Sequence, residues 1–244
     1  MNPARLSQPD LGLPGLVPGG LVPLTTTDYP GQLAAVVFCQ GCPWACGYCQ
    51  NPHLIPRGAA GSLTWQEVME FLHRRQGLLD AVVFSGGEPT LQPGLDDAIR
   101  EARGLGYKIG LHTGGPYPAR LEKLLPLLDW VGMDIKAPFA AYDRITGAPG
   151  SGEKARASAR LVLESGVESE FRTTVHSTLL SREDLRAMAR ELAELGVQRW
   201  VLQEFRPQGC ADAVLCAQAS TGFPDDALIP EVGPLFPHFS IRRG

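Results

Sequence analysis

Short apolar runs alternate with longer amphipathic stretches along most of the chain. The apolar runs predict six buried β-strands, at residues 33–39, 81–85, 107–112, 130–136, 168–176 and 198–204. Apolar residues at helical spacing predict five helices between these strands, at residues 63–76, 93–105, 118–128, 152–165 and 181–195. Thr64 with Glu67, and Ser181 with Asp184, match the capping box that starts many helices. A helix between successive strands predicts parallel strands joined by right-handed crossovers.

The six strand–helix units predict the fold class. Eight units would close a barrel, so six predict an α/β protein with a partial (β/α)6 barrel, whose open, curved sheet leaves a lateral mouth. We expect a single domain over residues 1–244. Residues 1–31, rich in proline and glycine, form an irregular N-terminal lead-in. Residues 32–204 form the barrel, and residues 205–244 form a C-terminal tail packed across one end of it.

Composition and charge narrow the function classes. The 22 basic and 26 acidic residues give a net charge of −4, which provides no general attraction for nucleic acid. No apolar run is long enough to cross a membrane, and no secretion signal is visible. Six cysteines without such a signal indicate the cytoplasm. Clustered thiols in that compartment bind metals or act in catalysis more often than they form disulfides.

Three cysteines, Cys42, Cys46 and Cys49, lie within eight residues. Thiolates at this spacing can converge on one inorganic body. Iron–sulfur clusters are normally held by four cysteines, so a cluster on three would leave one iron open to a substrate or cosubstrate. The alternatives are a zinc site, in which Cys39 or His53 supplies a further ligand, and a disulfide or an inert thiol. Cys39 ends an apolar run, and free cysteines of this kind usually point into the core.

Polar residues collect where the predicted strands end. In parallel α/β folds the carboxyl ends of the strands form the active face. The glycines of the turn after strand two allow close backbone approach, and its carbonyls and Glu88 can accept hydrogen bonds from an ammonium; the alternative is a plain strand-to-helix connection. The residues concerned are Cys42, Cys46, Cys49, Gly86, Gly87, Glu88, Pro89, His112, Thr113, Asp134, Lys136, Arg172, Thr174, His176, Gln203 and Glu204.

The cysteine spacing together with the Gly86–Pro89 turn resembles the signature of radical S-adenosylmethionine (SAM) enzymes. The stretches that extend this similarity are residues 23–31, 40–52, 84–92, 111–115 and 129–136. They are similar to the glycyl-radical-enzyme activating proteins, and most of all to the anaerobic ribonucleoside-triphosphate reductase activating proteins. The resemblance covers roughly residues 21–207.

The resemblance implies two cofactors and the residues that bind them. It implies a 4Fe–4S cluster on Cys42, Cys46 and Cys49, with SAM on the open iron. It places Gly86, Gly87, Glu88 and Pro89 at the SAM amino group and Tyr48 near the adenine, with Thr113, Asp134, Lys136, Arg172 and His176 as further cofactor contacts.

The charged residues of the later strands also have simpler interpretations. Asp134 and Lys136 are two residues apart on a strand and so share a face. A lysine pointing into a barrel needs a partner, which Asp134 and the SAM carboxylate would supply; the alternative is a salt bridge facing solvent. Arg172 and His176 could hold the SAM carboxylate or ribose, or could simply be residues at a strand edge.

The family resemblance also implies a reaction and partners. A flavodoxin- or ferredoxin-type donor would supply one electron, and SAM would be cleaved reductively to a 5′-deoxyadenosyl radical. That radical would abstract hydrogen from a glycine of a partner glycyl radical enzyme, the expected one being anaerobic ribonucleotide reductase. The alternatives are a radical SAM enzyme that modifies a small molecule or peptide, and a non-catalytic zinc or iron–sulfur scaffold.

Two positions depart from the family pattern, and two cysteines have no assigned role. Gln50 follows the third cysteine where the family usually has histidine. His112 stands where related activators have an acidic residue associated with a monovalent cation. Cys210 and Cys216 lie in the tail, and an accessory metal site there would need further ligands; we expect them to be ordinary thiols.

Overall fold

A computed structural model describes residues 15–219, 223 and 227–243. Its strands form one eight-stranded sheet in chain order. The first strand pairs antiparallel to the second, and all the following pairs are parallel. The strands are β1 (Pro18–Thr25), β2 (Ala34–Cys39), β3 (Ala81–Gly86), β4 (Lys108–Thr113), β5 (Trp130–Asp134), β6 (Glu168–Val175), β7 (Arg199–Glu204) and β8 (His238–Arg242).

Helices connect the parallel strands, as the alternating pattern predicts. They are α1 (Trp65–Arg75), α2 (Leu95–Gly104), α3 (Pro118–Leu124), α4 (Asp143–Thr146), α5 (Ser151–Ser165), α6 (Arg182–Leu195), α7 (Ala213–Ala217) and α8 (Ile229–Val232). Both predicted capping boxes, at α1 and α6, are present. The α3 helix is shorter than expected and continues as a 3-10 turn over Leu125–Leu127, because Pro126 lacks the amide hydrogen that another α-helical turn requires.

The expectation of an irregular lead-in is wrong for residues 18–25. These residues form β1, an edge strand whose register shifts after Pro18 and again after Val22. Proline is tolerated in edge strands because its missing N–H faces no neighbouring strand, so the prolines of this segment do not exclude a strand. Residues 1–14 of the predicted lead-in lie outside the described residues.

The tail also contributes a strand that the sequence pattern did not predict. His238–Arg242 forms β8, which extends the parallel part of the sheet from six strands to seven. Phe236 and Phe239 pack against Trp200 of β7, with ring centroids 5.0 and 5.8 Å from its ring. Arg242 of β8 also forms a 2.8 Å salt bridge with the buried Glu170 of β6. The six predicted strand–helix units are confirmed, but the sheet is longer at both edges.

The two faces of the curved sheet have different cores. The helix-facing side is the larger apolar layer and includes Cys39 and Phe84. The inner face carries a smaller cluster in which Tyr29 stacks on Trp130 at 5.3 Å. This apolar floor occupies the amino-terminal half of the barrel interior. Toward the carboxyl ends of the strands the inner face becomes polar. None of the helices in the described ranges is long and apolar enough to cross a membrane.

Candidate active site

A cavity of about 380 Å³ opens at the carboxyl ends of the strands, above the inner apolar cluster. Residues of the described chain that line it come from the cysteine loop, from strands β2 to β7 and the turns that follow them, and from Asp28 of the lead-in. Most of the residues predicted from the sequence lie on its wall: Cys42, Cys46, Tyr48, Cys49, Gly86, Gly87, Glu88, Thr113, Asp134, Lys136 and Arg172. The structure therefore brings together side chains that are up to 130 residues apart in the sequence.

Two predicted cofactor contacts, Pro89 and His176, do not line the cavity. Pro89 is buried and begins the 3-10 turn Pro89–Leu91, so it shapes the loop from behind. His176 follows the end of β6, and its Nε2 lies 3.0 Å from the carbonyl oxygen of Leu215 in the tail. Its Nδ1 lies 2.8 Å from the hydroxyl of Thr178. Side chains alternate between the two faces of a strand only as far as the strand continues, and β6 ends at Val175. His176 therefore contacts the tail and does not face the cavity.

The cysteine loop is fixed by backbone hydrogen bonds at its start. The N–H of Gly41 donates to the carbonyl of Leu54 at 2.7 Å, and the N–H of Cys42 donates to that of Ile55 at 3.1 Å. Gly41 has a φ of 91°, a conformation that residues with a side chain rarely adopt. The first cysteine thus enters the cavity wall in a defined position.

The three cavity cysteines are partly buried free thiols, whereas Cys39 is fully buried. Burial raises the pKa of Cys42 to about 12, so without metal its sulfur stays protonated at neutral pH. Cys39 packs in the helix-facing apolar layer, which removes it from the zinc pair considered above. No three metal-ligating side chains of the described residues converge as the ligands of a single ion would. A cubane differs because each thiolate binds its own iron, and the donor set of three cysteines on one wall fits it.

Lys136 occupies a pocket of aromatic rings beside the cysteines. Its Nζ lies 5.9 Å from the ring centre of Trp44, 5.6 Å from that of Tyr48 and 3.6 Å from Asp134 Oδ2. Burial acts to lower the pKa of Lys136, but nearby acidic groups, Tyr48 first, raise it well above its ordinary value. The ammonium therefore remains charged and available to an anionic ligand. The sequence analysis did not predict that Trp44 lines the cavity. Its position between Cys42 and Cys46 was the signal that could have identified it.

Glu88 is buried and joins the loop after β3 to the loop after β4. Its Oε1 accepts hydrogen bonds from the N–H of Thr90 at 3.0 Å and from the hydroxyl of Thr113 at 2.8 Å. Its Oε2 accepts one from the N–H of Gly114 at 3.0 Å. Burial raises the pKa of Glu88. Oε2 keeps acceptor capacity on the side where Glu88 lines the cavity, because an ionised carboxylate has about four acceptor sites.

The two glycines before Glu88 are required by packing between loops. A Cβ on Gly86, whose φ is 114°, would lie 2.4 Å from the backbone nitrogen of Cys39. A Cβ on Gly87 would lie 2.3 Å from the carbonyl oxygen of Gly41. Sequence reasoning attributed these glycines to close approach of a ligand, but the atoms they avoid belong to the end of β2 and the start of the cysteine loop.

Arg172 is held by a carboxylate and an imidazole. Its Nη2 lies 2.9 Å from Asp134 Oδ1, and its Nη1 lies 3.5 Å from His112 Nδ1, the imidazole nitrogen that can accept a hydrogen bond. Burial acts to raise the pKa of Asp134, but the charges of Arg172 and Lys136 outweigh it and hold that pKa below its ordinary value. The site therefore keeps a charged carboxylate between two cations.

His112 is neutral in this arrangement. Burial, followed by the charge of Arg172, lowers the pKa of His112 to about 3. Its Nε2 lies 2.8 Å from the carbonyl oxygen of Asp28, so that nitrogen carries the hydrogen and Nδ1 faces the hydroxyl of Ser85 at 3.3 Å. The lead-in thus reaches the cavity through Asp28. Sequence reasoning missed this residue because nothing in a proline-rich segment indicates that it enters the barrel.

The tail packs against the cysteine loop. Gln50, at the position where the family pattern has histidine, donates from Nε2 to the carbonyl of Arg206 at 2.9 Å. The thiol of Cys210 lies 3.5 Å from the carbonyl oxygen of Gly47, and that of Cys216 lies 3.7 Å from that of Pro207. Neither cysteine lines the cavity. Their contacts with backbone carbonyls are those of ordinary thiols.

Comparison with known proteins adds a family and named relatives. The sequence model of the radical SAM superfamily matches residues 36–194. A protein of Methanocaldococcus jannaschii, provisionally named as a glycyl-radical enzyme activating enzyme, is 30% identical over 203 residues, 79% of this chain and 81% of that protein. The pyruvate formate-lyase-activating enzyme of Clostridium pasteurianum is 34% identical over 170 residues, 66% of this chain and 70% of the enzyme.

A peptide-modifying relative and two solved structures are similar over shorter shares of their length. The PqqA peptide cyclase of Gluconobacter oxydans is 36% identical over 160 residues, 62% of this chain and 44% of the cyclase. Streptococcus suis SuiB bound to precursor peptide SuiA has a TM-score of 0.65 at 14% identity, over 83% of this chain and 47% of SuiB. The anSMEcpe structure with bound AdoMet has a TM-score of 0.55 at 17% identity, over 67% of this chain and 48% of anSMEcpe. At these identities the two structures share the fold.

Proposed function

The chain belongs to the radical SAM superfamily, and from that premise we propose that it is a glycyl-radical-enzyme activating enzyme. Enzymes of this superfamily use a 4Fe–4S cluster and SAM. The observation that carries the proposal is the single cavity on whose wall the three cysteines, the Gly86–Glu88 turn and the charges of β5 and β6 meet. The two activating enzymes named above support the narrower class, because this chain spans most of their length.

In this proposal Cys42, Cys46 and Cys49 hold the cluster, and the tail seats their loop through Gln50. When bound, the cluster and SAM supply one-electron reductive cleavage of SAM to methionine and a 5′-deoxyadenosyl radical. The protein positions these groups and excludes water from them. Protein side chains need not transfer protons, because the product step is abstraction of a hydrogen atom.

The charges on the cavity wall would orient the methionyl part of SAM. Glu88 lies on the β3 side, and its hydrogen-bond partners among the described residues are neutral donors, so the SAM ammonium would be the cation that stabilises its ionised form. Lys136 and Arg172 lie on the opposite side and offer two cations to the SAM carboxylate. His112 Nδ1 accepts from Arg172 Nη1 and so helps to fix the direction of the guanidinium, and Tyr48 offers a ring near the cysteines.

The partner would present a glycine to this cavity. A glycine has no side chain, so a backbone segment of the partner could approach the open mouth of this cavity closely. The specific partner in this proposal is anaerobic ribonucleoside-triphosphate reductase, with a flavodoxin- or ferredoxin-type electron donor. The second candidate is modification of a peptide substrate, which the similarity to the PqqA peptide cyclase favours.

One anaerobic experiment separates these candidates. Reconstituted protein is incubated with SAM and dithionite, alone, with a glycyl radical enzyme encoded in the same genome, and with candidate peptides. We expect 5′-deoxyadenosine in amounts matching a glycyl radical detected by electron paramagnetic resonance on the partner enzyme. The signal should lose its hydrogen splitting when the partner contains deuterated glycine.

Two variants control this experiment. Cys46→Ala should abolish 5′-deoxyadenosine and iron binding, whereas Cys210→Ala should leave both unchanged. A peptide product of altered mass without a glycyl radical would replace the activating function by peptide modification. Absence of 5′-deoxyadenosine in every arm, with an intact reduced cluster, would contradict the catalytic proposal.

A further inference from the structure

A second cavity, of about 470 Å³, lies between α2 and α3, outside the barrel. Its wall includes three cations, one carboxylate and two buried leucines: Arg100, Arg120, Lys123, Asp96, Leu95 and Leu124. It shares only Thr90 and the adjoining turn with the surroundings of the candidate active site. The proposed function uses none of its charged side chains.

The charge of this cavity opposes that of the whole chain. Its three cations exceed its carboxylate by two charges, in a protein whose net charge is −4. Within the described ranges neither Arg100 nor Lys123 has an ion pair or a side-chain hydrogen bond. Since no ion pair of the described residues neutralises Arg100 or Lys123, an anionic ligand in the cavity would lower the repulsion between these cations.

Arg120 connects this cavity to the loop that carries Glu88. Its Nη1 donates to the carbonyls of Thr90 at 3.0 Å and Leu91 at 2.6 Å. Thr90 in turn donates from its N–H and its hydroxyl to Glu88 Oε1. A guanidinium has five N–H donors. Nη1 of Arg120 donates to the loop carbonyls, so the donors on Nε and Nη2 remain for a ligand.

We propose that this cavity binds a small molecule carrying a chain of two or more phosphates. A surplus of two positive charges matches a polyanion and exceeds the charge of a single carboxylate. Arginine guanidiniums match phosphate oxygens in bidentate geometry, and lysine adds a point charge. The volume suits a small ligand. A nucleoside triphosphate and inorganic polyphosphate share this chemistry.

Occupancy of this cavity would strengthen SAM binding. A phosphate held by Arg120 restricts the guanidinium, and with it the Thr90–Leu91 turn behind Glu88. Ordering that loop in advance lowers the entropic cost of binding SAM. Coupling between two ligands is reciprocal, so SAM must strengthen binding of the phosphate compound by the same factor. This binding does not depend on a glycyl radical partner or on SAM cleavage.

The test is isothermal titration of the anaerobically reconstituted protein with inorganic tripolyphosphate, ATP and AMP, without Mg²⁺. We expect tripolyphosphate and ATP to bind and AMP to bind more weakly. Tighter binding of ATP than of tripolyphosphate would identify a nucleotide, and equal binding would identify the phosphate chain alone. Arg100→Gln and Lys123→Gln should each weaken binding by about tenfold, the loss of one charge-assisted contact. Arg74→Gln and Lys154→Gln, exposed helical cations elsewhere, are the matched controls.

Several results would overturn the inference. No binding of tripolyphosphate or ATP would reject the site outright. Binding weakened equally by the control variants would show general attraction to exposed cations. ATP binding abolished by saturating SAM, and unchanged in Arg100→Gln, would place the nucleotide in the active-site cavity instead. Binding at the proposed cavity with unchanged SAM affinity would retain the site and reject the coupling through Arg120.

Discussion

Replacing Thr113 by valine removes one hydroxyl from the network beneath the proposed SAM site. Thr113 Oγ1 donates to Glu88 Oε1 at 2.8 Å and accepts from the N–H of Gly115 at 2.9 Å. Valine has the same shape but can form neither bond. The substitution therefore tests whether the buried polar network, and not side-chain volume, holds the loops after β3 and β4 together.

The structure sets the size of the expected effect. Loss of a hydrogen bond to a carboxylate costs about 1.5–3 kcal/mol, and leaving the buried N–H of Gly115 without an acceptor costs about 1–3 kcal/mol. The added methyl group offsets about 0.8 kcal/mol. Glu88 keeps its bonds from Thr90 and Gly114, so the carboxylate itself is not orphaned. We therefore expect a loss of about 2–5 kcal/mol in the free energy of unfolding.

The assay is urea unfolding of the cluster-free protein, which measures the network without cofactors. Thr113→Ser is the matched control because it keeps both hydrogen bonds and loses only a methyl group, at a cost of about 1 kcal/mol. Destabilisation by valine of less than about 0.5 kcal/mol, which is the usual range for a neutral substitution, would refute the role of the network. Equal destabilisation by serine and valine would refute it as well, since volume would then explain both.

The pH dependence gives a second readout of the same network. The pKa of Glu88 is raised by burial, so its contribution to stability is complete below the ordinary glutamate pKa and declines as pH rises through the raised folded-state value. Thr113→Val removes a donor that favours the charged form. The decline should therefore move to higher pH in the valine variant, and it should stay in place in the serine variant.

Three further predictions concern the charged groups and the tail. The pKa of His112 falls to about 3, so the free energy of unfolding should decrease as pH falls from 6.5 toward 3, by up to about 1.4 kcal/mol per pH unit. In His112→Gln the urea midpoint should depend less on pH over that range. Asp134→Asn leaves Arg172 without its carboxylate and, because Asp134 is partly exposed, should lower the free energy of unfolding by about 1–3 kcal/mol. SAM should raise the melting temperature of this variant more than that of wild type, since the SAM carboxylate replaces the lost charge. Cys210→Ser with Cys216→Ser should leave the iron content of reconstituted protein unchanged, and lost iron would reveal an accessory metal site.

The fold was predictable where the signals are local. Six apolar runs with helices between them specify the parallel strands, because alternation and helical spacing depend only on neighbouring residues. The edge strands β1 and β8 were missed for a physical reason. An edge strand pairs on one side only, so it tolerates Pro18 and the exposed His238. Its sequence then resembles a loop, and only the neighbouring strand shows that it is paired.

The site was predictable at the level of residue type, and less so at the level of contacts. Cysteine spacing and strand ends identified thirteen residues that line the cavity, because parallel strands bring their carboxyl ends to one edge. The role of Glu88 as a junction between loops depends on Thr113, 25 residues away, and no local pattern encodes that contact. His176 was misplaced because alternation of faces holds only as far as the strand continues.

The distribution of charge in the cavity explains why one orientation of SAM would be preferred. The carboxyl group of Glu88 has neutral hydrogen-bond donors around it, whereas Asp134 lies between Arg172 and Lys136, so one wall offers a carboxyl group that an ammonium would ionise and the other a surplus positive charge. The methionyl group of SAM carries an ammonium and a carboxylate on the same carbon. Reversing it would place ammonium beside two cations and carboxylate beside Glu88. In a partly buried cavity each such contact costs several kcal/mol, since a pair of unit charges at about 4 Å is worth about 4 kcal/mol at an effective dielectric of 20. The opposed charges of the two walls would therefore fix the direction of the sulfonium, even before the cluster contributes to binding.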